Sequence, residues 1–125
     1  DVVRASLERV PIEPLDAVIA RLGLAQVEFV TIAVEGAEAR VIAGAATVLK
    51  AMRPILLLEV NDKALRAQGN CADSLIGTLR GDLSYEIFVF SPLTGLLEPP
   101  HDGDPLSANV VAIPSERVAD TITAR

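Results

Sequence analysis

Cysteine and histidine are nearly absent, with one of each in 125 residues. A single cysteine, Cys71, closes no internal disulfide, and a single histidine, His101, leaves no histidine-rich metal site, so no metal is expected. Basic residues are outnumbered, 11 against 17 acidic, for a net charge of −6. Phosphate contacts need clustered lysine and arginine, so nucleic acid is excluded as a partner, and anionic membrane surfaces with it. Long hydrophobic runs are missing too. Glu28, Glu35, Lys50, Arg53 and Glu59 interrupt every apolar stretch before the roughly 18 residues that a membrane span needs. The chain shows no internal repeat, no low-complexity tract and no signal-peptide pattern. It opens at Asp1 without a methionine, and it is expected to be part of a longer chain, located in the cytoplasm.

What remains is rich in core-forming residues. Half are hydrophobic and 22% are charged, a balance that fits one folded domain or part of one rather than a disordered chain. Residues 1–14, with Pro11 and Pro14, read as a connector. Leu15, Val18, Ile19 and Leu22 fall on one helical face, with Pro14 before the helix and Gly23 at its end. Residues 27–34 and 55–60 read as strands, the second half of the first apolar on both faces and the second a continuous apolar run, as interior parallel strands are. A helix over 37–52 joins them and stops at Arg53-Pro54, because the residue before a proline is pushed out of the helical region.

After the second strand, Asn61 or Asp62 is placed to cap a helical region. That region breaks near Gly69-Asn70 and resumes through Leu79. A third strand follows at 85–90, then a long proline- and glycine-rich loop and a fourth strand at 109–114. The last eleven residues are a short helix or a tail. Strand–helix–strand alternation implies an α/β fold with right-handed parallel crossovers. The last two strands lack a helix between them, so an antiparallel pairing is expected there.

One block is more specific than this pattern. Val27-Glu28-Phe29-Val30-Thr31-Ile32-Ala33-Val34-Glu35-Gly36-Ala37-Glu38 is followed by Val41-Ile42-Ala43-Gly44-Ala45. Then comes Arg53-Pro54-Ile55-Leu56-Leu57-Leu58-Glu59-Val60. This resembles the carboxyl-terminal half of the FkbM family of S-adenosylmethionine-dependent methyltransferases. That family has a strand ending in Lys-Ile-Asp-Val-Glu-Gly-Ala-Glu, a helix with a Leu-x-Gly-Ala step, and a strand entered by Arg-Pro and ending near a glutamate. Leu15-Asp16 is similar to its upstream Thr-Leu-Asp element, and Asn109–Pro114 to its closing strand. The family's lysine and aspartate are Thr31 and Ala33 here. Its glycine-rich cofactor loop lies upstream of everything in 1–125.

The resemblance implies a partial Rossmann-like class I methyltransferase sheet, carrying the fourth to seventh strands with the last antiparallel and lying between the second and third strands of this chain. It implies an O-methyltransferase that moves a methyl group from S-adenosylmethionine to a hydroxyl of a sugar, glycolipid or polyketide-like acceptor. A second reading, drawn from Ala33, is a non-catalytic methyltransferase-like module kept for binding or assembly.

On the first reading Glu35 is the catalytic candidate, placed to orient or deprotonate the acceptor hydroxyl. Its other role would be to complement a helix N-terminus. Ala33 and Val34 border the cofactor, and Glu59 and Glu38 are the substrate-binding candidates. Glu59 stands near a strand end, where open α/β sheets place their ligands. Glu38, a turn after Glu35, is equally suited to a cap or to solvent. Gly36 serves a tight turn and close backbone approach, and Gly44 allows close packing of its helix. Cys71 reads as a small, at least partly buried side chain, and His101 as a solvated loop residue. The partner is a small-molecule or glycan acceptor. The strand at 27–34, interior in the family fold, is left as an edge in 1–125, and homodimerisation through that edge is expected.

Overall fold

A computed structural model of the chain describes residues 5–103 and 108–123. Pro105, in the expected long loop, lies outside them, as do the first four and last two residues.

Helix α1, Leu15–Leu22, occupies the expected span. Pro14 precedes it in an extended conformation, and Gly23 ends it at φ 65°, where its N–H and that of Leu24 return to Ala20 and Ile19. Strand β1, Phe29–Ile32, is shorter than the expected 27–34. The single helix expected over 37–52 is two, α2 (Glu38–Ala43) and α3 (Ala46–Ala51). The reason is long-range. Gly44 meets Pro14, whose Cβ lies 3.1 Å from where a Gly44 Cβ would be. The Gly44 carbonyl accepts the Asp16 N–H at 3.0 Å. The Asp16 carboxylate then accepts the N–H groups of Thr47 (3.0 Å) and Val48 (2.9 Å), capping α3 from another element. Burial pushes the Asp16 carboxyl up, but those two N–H groups outweigh it and hold it below its ordinary value.

Strand β2 is Ile55–Val60, and α4 is Asp62–Ala67. Asn61 is the cap, its Oδ1 accepting the Ala64 N–H at 3.1 Å. Asp62 instead accepts the Ala72 N–H at 2.7 Å, ahead of α5 (Ala72–Gly77), and pairs with Arg66. A π-helical turn, Thr78–Asp82, leads to β3, Tyr85–Phe90. The expected loop after it contains a two-residue strand, β4 (Leu97–Glu98), too short to show a hydrophobic period. Strand β5 is Ala108–Pro114, and the described residues end in α6, Val118–Thr123.

The five strands form one mixed sheet in the order β1-β2-β5-β3-β4. β1 and β2 are parallel, and every other pair is antiparallel. The last long strand therefore lies between the second and third, as expected. Because β5 is antiparallel to both β2 and β3, those two run the same way. The carboxyl ends of β1, β2 and β3 thus share one end of the sheet.

The sheet faces differ in cover. Ile32, Leu56, Leu58, Val60, Tyr85, Ile87, Val110 and Ala112 pack with α2–α5 in the main core. The opposite face carries a smaller cluster, Phe88, Val111 and Ile113, with Ile55, Leu57, Leu97 and Val118 against it. Among the described residues, β1 pairs with β2 alone. Phe29, at that outer edge, is 56% exposed. No helix among the described residues is long and apolar enough to cross a membrane.

At the amino ends of β2 and β3, Arg53 ties three elements together. Its guanidinium donates to the carbonyls of Leu83 (2.6 Å) and Ser84 (3.0 Å) and to both oxygens of Glu116 (2.7 and 3.1 Å). It also lies 4.7 Å from the centre of the Tyr85 ring. The buried Tyr85 hydroxyl donates to the Pro54 carbonyl at 2.7 Å. Burial pushes that phenol up to about 12. Arg53 is therefore more than a helix stop: its fork has the geometry to satisfy carbonyls and a carboxylate together.

Candidate functional site

The strand-to-helix turn after β1 gathers four of the five residues singled out above. Ala33, Val34 and Glu35 are exposed at the carboxyl end of the sheet. The Ala37 N–H donates to the Val34 carbonyl at 3.3 Å, which closes a turn with Glu35 and Gly36 at its centre. Both central residues have positive φ, 51° for Glu35 and 98° for Gly36. Glycine adopts this region freely, whereas a glutamate there is strained. A Cβ on Gly36 would stand 2.3 Å from the Ala64 carbonyl oxygen. The turn is therefore pressed against α4, and only glycine fits. Both roles expected of Gly36 are present.

Glu38 is neither capping nor solvated. It is 2% exposed, the one carboxylate buried among the described residues. Its Oε1 accepts the Val34 N–H at a long 3.4 Å, and its buried Oε2 has no hydrogen-bond partner. A buried carboxylate with one weak bond is costly. It sits directly under the turn that carries Glu35.

Glu59, the fifth residue, comes from the neighbouring strand and is exposed. The β1–β2 register runs to Ile32 opposite Leu58, and one further step sets Ala33 beside Glu59. The two positions share a face, since cross-strand neighbours do. On the other side Glu59 pairs with Asn109 of β5, also exposed. This end of the sheet thus offers exposed acceptors, the Glu35 and Glu59 carboxylates and the Asn109 amide, with the unpaired Glu38 oxygen buried beneath the turn. Such a set suits a ligand with cationic or hydrogen-bond-donating groups.

The remaining candidates stand elsewhere. Cys71 is half-buried before α5, and His101 is exposed with its Nε2 3.4 Å from Glu98. No group of three or more His, Cys, Asp and Glu side chains that could hold a metal occurs among the described residues. Asn109 was not legible as a site residue. Its only signal was a polar side chain opening an apolar strand, and it takes the sheet order to put it beside Glu59.

Neither the curated proteins nor the solved structures contain a match to the chain. The family model of the methyltransferase FkbM domain matches residues 3–87, more than half of the sequence. The matched region takes in the Leu15-Asp16 element, the whole Val34–Glu38 turn and β2 with Glu59, and it ends inside β3. The chain belongs to the FkbM methyltransferase domain family.

Proposed function

We propose that this chain forms the carboxyl-terminal half of an S-adenosylmethionine-dependent O-methyltransferase, its strands corresponding to the fourth to seventh of a Rossmann-like sheet. The observation that carries the reading is the Val34–Glu38 turn. An exposed carboxylate is held at positive φ over a buried carboxylate oxygen that has no donor. Strain and unpaired buried groups are costly, and they concentrate where a protein binds or reacts.

The acceptor-rich strand end fits the cofactor in kind, because S-adenosylmethionine carries an ammonium, a sulfonium and hydroxyl donors. When bound, it would supply a methyl group on sulfur, open to in-line displacement by an oxygen nucleophile. The chain's own groups would do the rest. The Ala33 and Val34 backbone would border the cofactor, and the Glu38 Oε2 would accept a hydrogen bond from a bound donor. Glu59 would hold the acceptor, a small molecule or glycan. Glu35 would orient the reacting hydroxyl and take its proton, and positioning would supply much of the rate. The free edge of β1 would be the seam to the cofactor-loop half or, without it, to a second copy. The non-catalytic reading rests on Ala33: the strand end holds one carboxylate, Glu59, where the family motif would place an aspartate beside it.

A methyl-transfer assay with labelled S-adenosylmethionine and a panel of hydroxylated acceptors, run on the full domain, separates the two. Glu35→Gln should lower turnover by about a hundredfold with the melting temperature unchanged, because the side chain is exposed. Ala33→Asp should leave turnover equal or higher. Unaltered turnover in Glu35→Gln would remove Glu35 from the chemistry. No transfer by either the wild type or Ala33→Asp would favour the non-catalytic module.

A further inference from the structure

The register places a graded strip across the carboxyl end of the sheet. Glu59 pairs with Asn109, and Phe90 with Leu97. The β3–β5 register, continued one residue past Val89–Val110, sets Phe90 beside Asn109. Each of Glu59, Asn109 and Phe90 lies two residues from a member of the smaller cluster, Leu57, Val111 and Phe88, and Leu97 itself packs there. With a side-chain period of two, all four share that face. The strip spans three strand spacings, about 14 Å, and passes from carboxylate to amide to aromatic to aliphatic. Glu59 and Asn109 are exposed, Phe90 is 47% exposed, and Leu97 is half-buried.

The apolar end extends into the turn between β3 and β4. Ser91 Oγ accepts the N–H groups of Leu93 and Thr94, the Ser91 N–H donates to Leu96, and the Gly95 N–H donates to Ser91. The turn meets its own polar needs, so its leucines are not required to build it. Yet Leu93 is 93% and Leu96 70% exposed. Exposed apolar side chains on an internally bonded turn mark a contact surface, but Leu96, one residue from Leu97 and paired with Ser91, faces away from the strip by the same period of two. Charge narrows the occupant. An anionic membrane would be repelled by the net charge of −6, whereas a neutral amphiphile, with a polar and an apolar end, meets both ends of the strip.

Resting on the methyltransferase reading, we propose that this strip is the acceptor-binding surface. The acceptor presents a hydroxyl to Glu59 and lays an aliphatic or ring body over Phe90 and Leu97. Phe90 is the specificity-determining residue.

Two neutral probes, 1,2-hexanediol and 1,2-octanediol, test this by NMR titration of the full chain without cofactor. Octanediol should bind about tenfold more tightly, the effect of two more buried methylenes. Phe90→Ser should cut that ratio to about threefold or less and Phe90→Leu should keep it, because leucine restores an apolar contact. Glu59→Gln should weaken both diols alike. Leu24→Ser, at an exposed apolar position on another surface, should alter nothing. Equal affinity for the two diols, no binding of either, or a ratio that survives Phe90→Ser would each overturn the strip. Self-association that Phe90→Ser abolishes, with no diol binding, would assign the surface to a second copy and overturn the proposal. Methyl transfer measured in parallel keeps the two claims apart. Chain-length-dependent binding without any transfer rejects the catalytic reading and leaves an amphiphile-binding strip. Transfer indifferent to chain length rejects the strip and leaves the catalytic reading.

Discussion

Gly36→Ala is expected to destabilise the protein by about 3–5 kcal/mol, and Gly23→Ala by no more than about 2 kcal/mol. Both glycines have positive φ, so both substitutions carry the conformational penalty of placing an L side chain there. At Gly23 nothing lies within 4 Å of the added methyl. At Gly36 the new Cβ would stand 2.3 Å from the Ala64 oxygen and 2.6 Å from its carbonyl carbon, both rigid backbone. Either α4 moves or the turn does. Moving the turn displaces Glu35 and breaks the Val34–Glu38 bond, so activity should fall more than stability alone explains. Urea denaturation of the two variants side by side isolates the steric part. Equal losses would mean that the turn does not press on α4.

Arg53→Met should cost about 2–3 kcal/mol. The loss comes from the amino ends of β2 and β3, far from the proposed chemistry. The Ser84 carbonyl keeps its bonds from Ser115, but the Leu83 carbonyl loses its 2.6 Å donor and Glu116 loses its two bonds from Arg53. Arg53→Lys should recover little, because one ammonium cannot serve two carbonyls and a carboxylate in a planar fork.

A pH signature accompanies the loss. Hydrogen bonding from Arg53 holds the Glu116 carboxyl down to about 2, from an ordinary 4.5. A carboxylate with a lowered folded value contributes stability that is present above 4.5 and lost as pH falls toward 2. The wild type should therefore lose stability across that window more steeply than Arg53→Met. Solvent screening keeps the difference modest, since the Glu116 side chain is 54% exposed. Parallel acid profiles in the two proteins would show that the pair contributes nothing to stability.

How much of this was legible in the sequence depended on range. Helix α1 was fully so, because Pro14 and Gly23 are local signals. β2 was as clear, a six-residue apolar run between Pro54 and Asn61. The break between α2 and α3 was not, because it is imposed by Asp16 and Pro14, some thirty positions away. The apolar pattern of β1 overruns the strand itself, continuing past the point where the chain turns into Glu35. The site followed the same rule. Glu35-Gly36 after an apolar strand announces a turn at a strand end. The burial of Glu38 runs against the expectation for a charged residue early in a helix, and no local pattern signals it. The row of Glu59, Asn109 and Phe90 required the register of three strands, two of them brought together by a strand near the end of the chain.

The methyltransferase reading requires the Val34–Glu38 turn and the end of β2 to form half of an S-adenosylmethionine site. Isothermal titration calorimetry with S-adenosylmethionine and its demethylated product tests it most directly. The predicted result is micromolar binding when these residues are joined to the cofactor-loop half of the domain, lost in Gly36→Ala, with weak or no binding by residues 1–125 alone. Failure of the joined domain to bind either compound would contradict the claim, and micromolar binding by residues 1–125 alone would show that the site lies elsewhere.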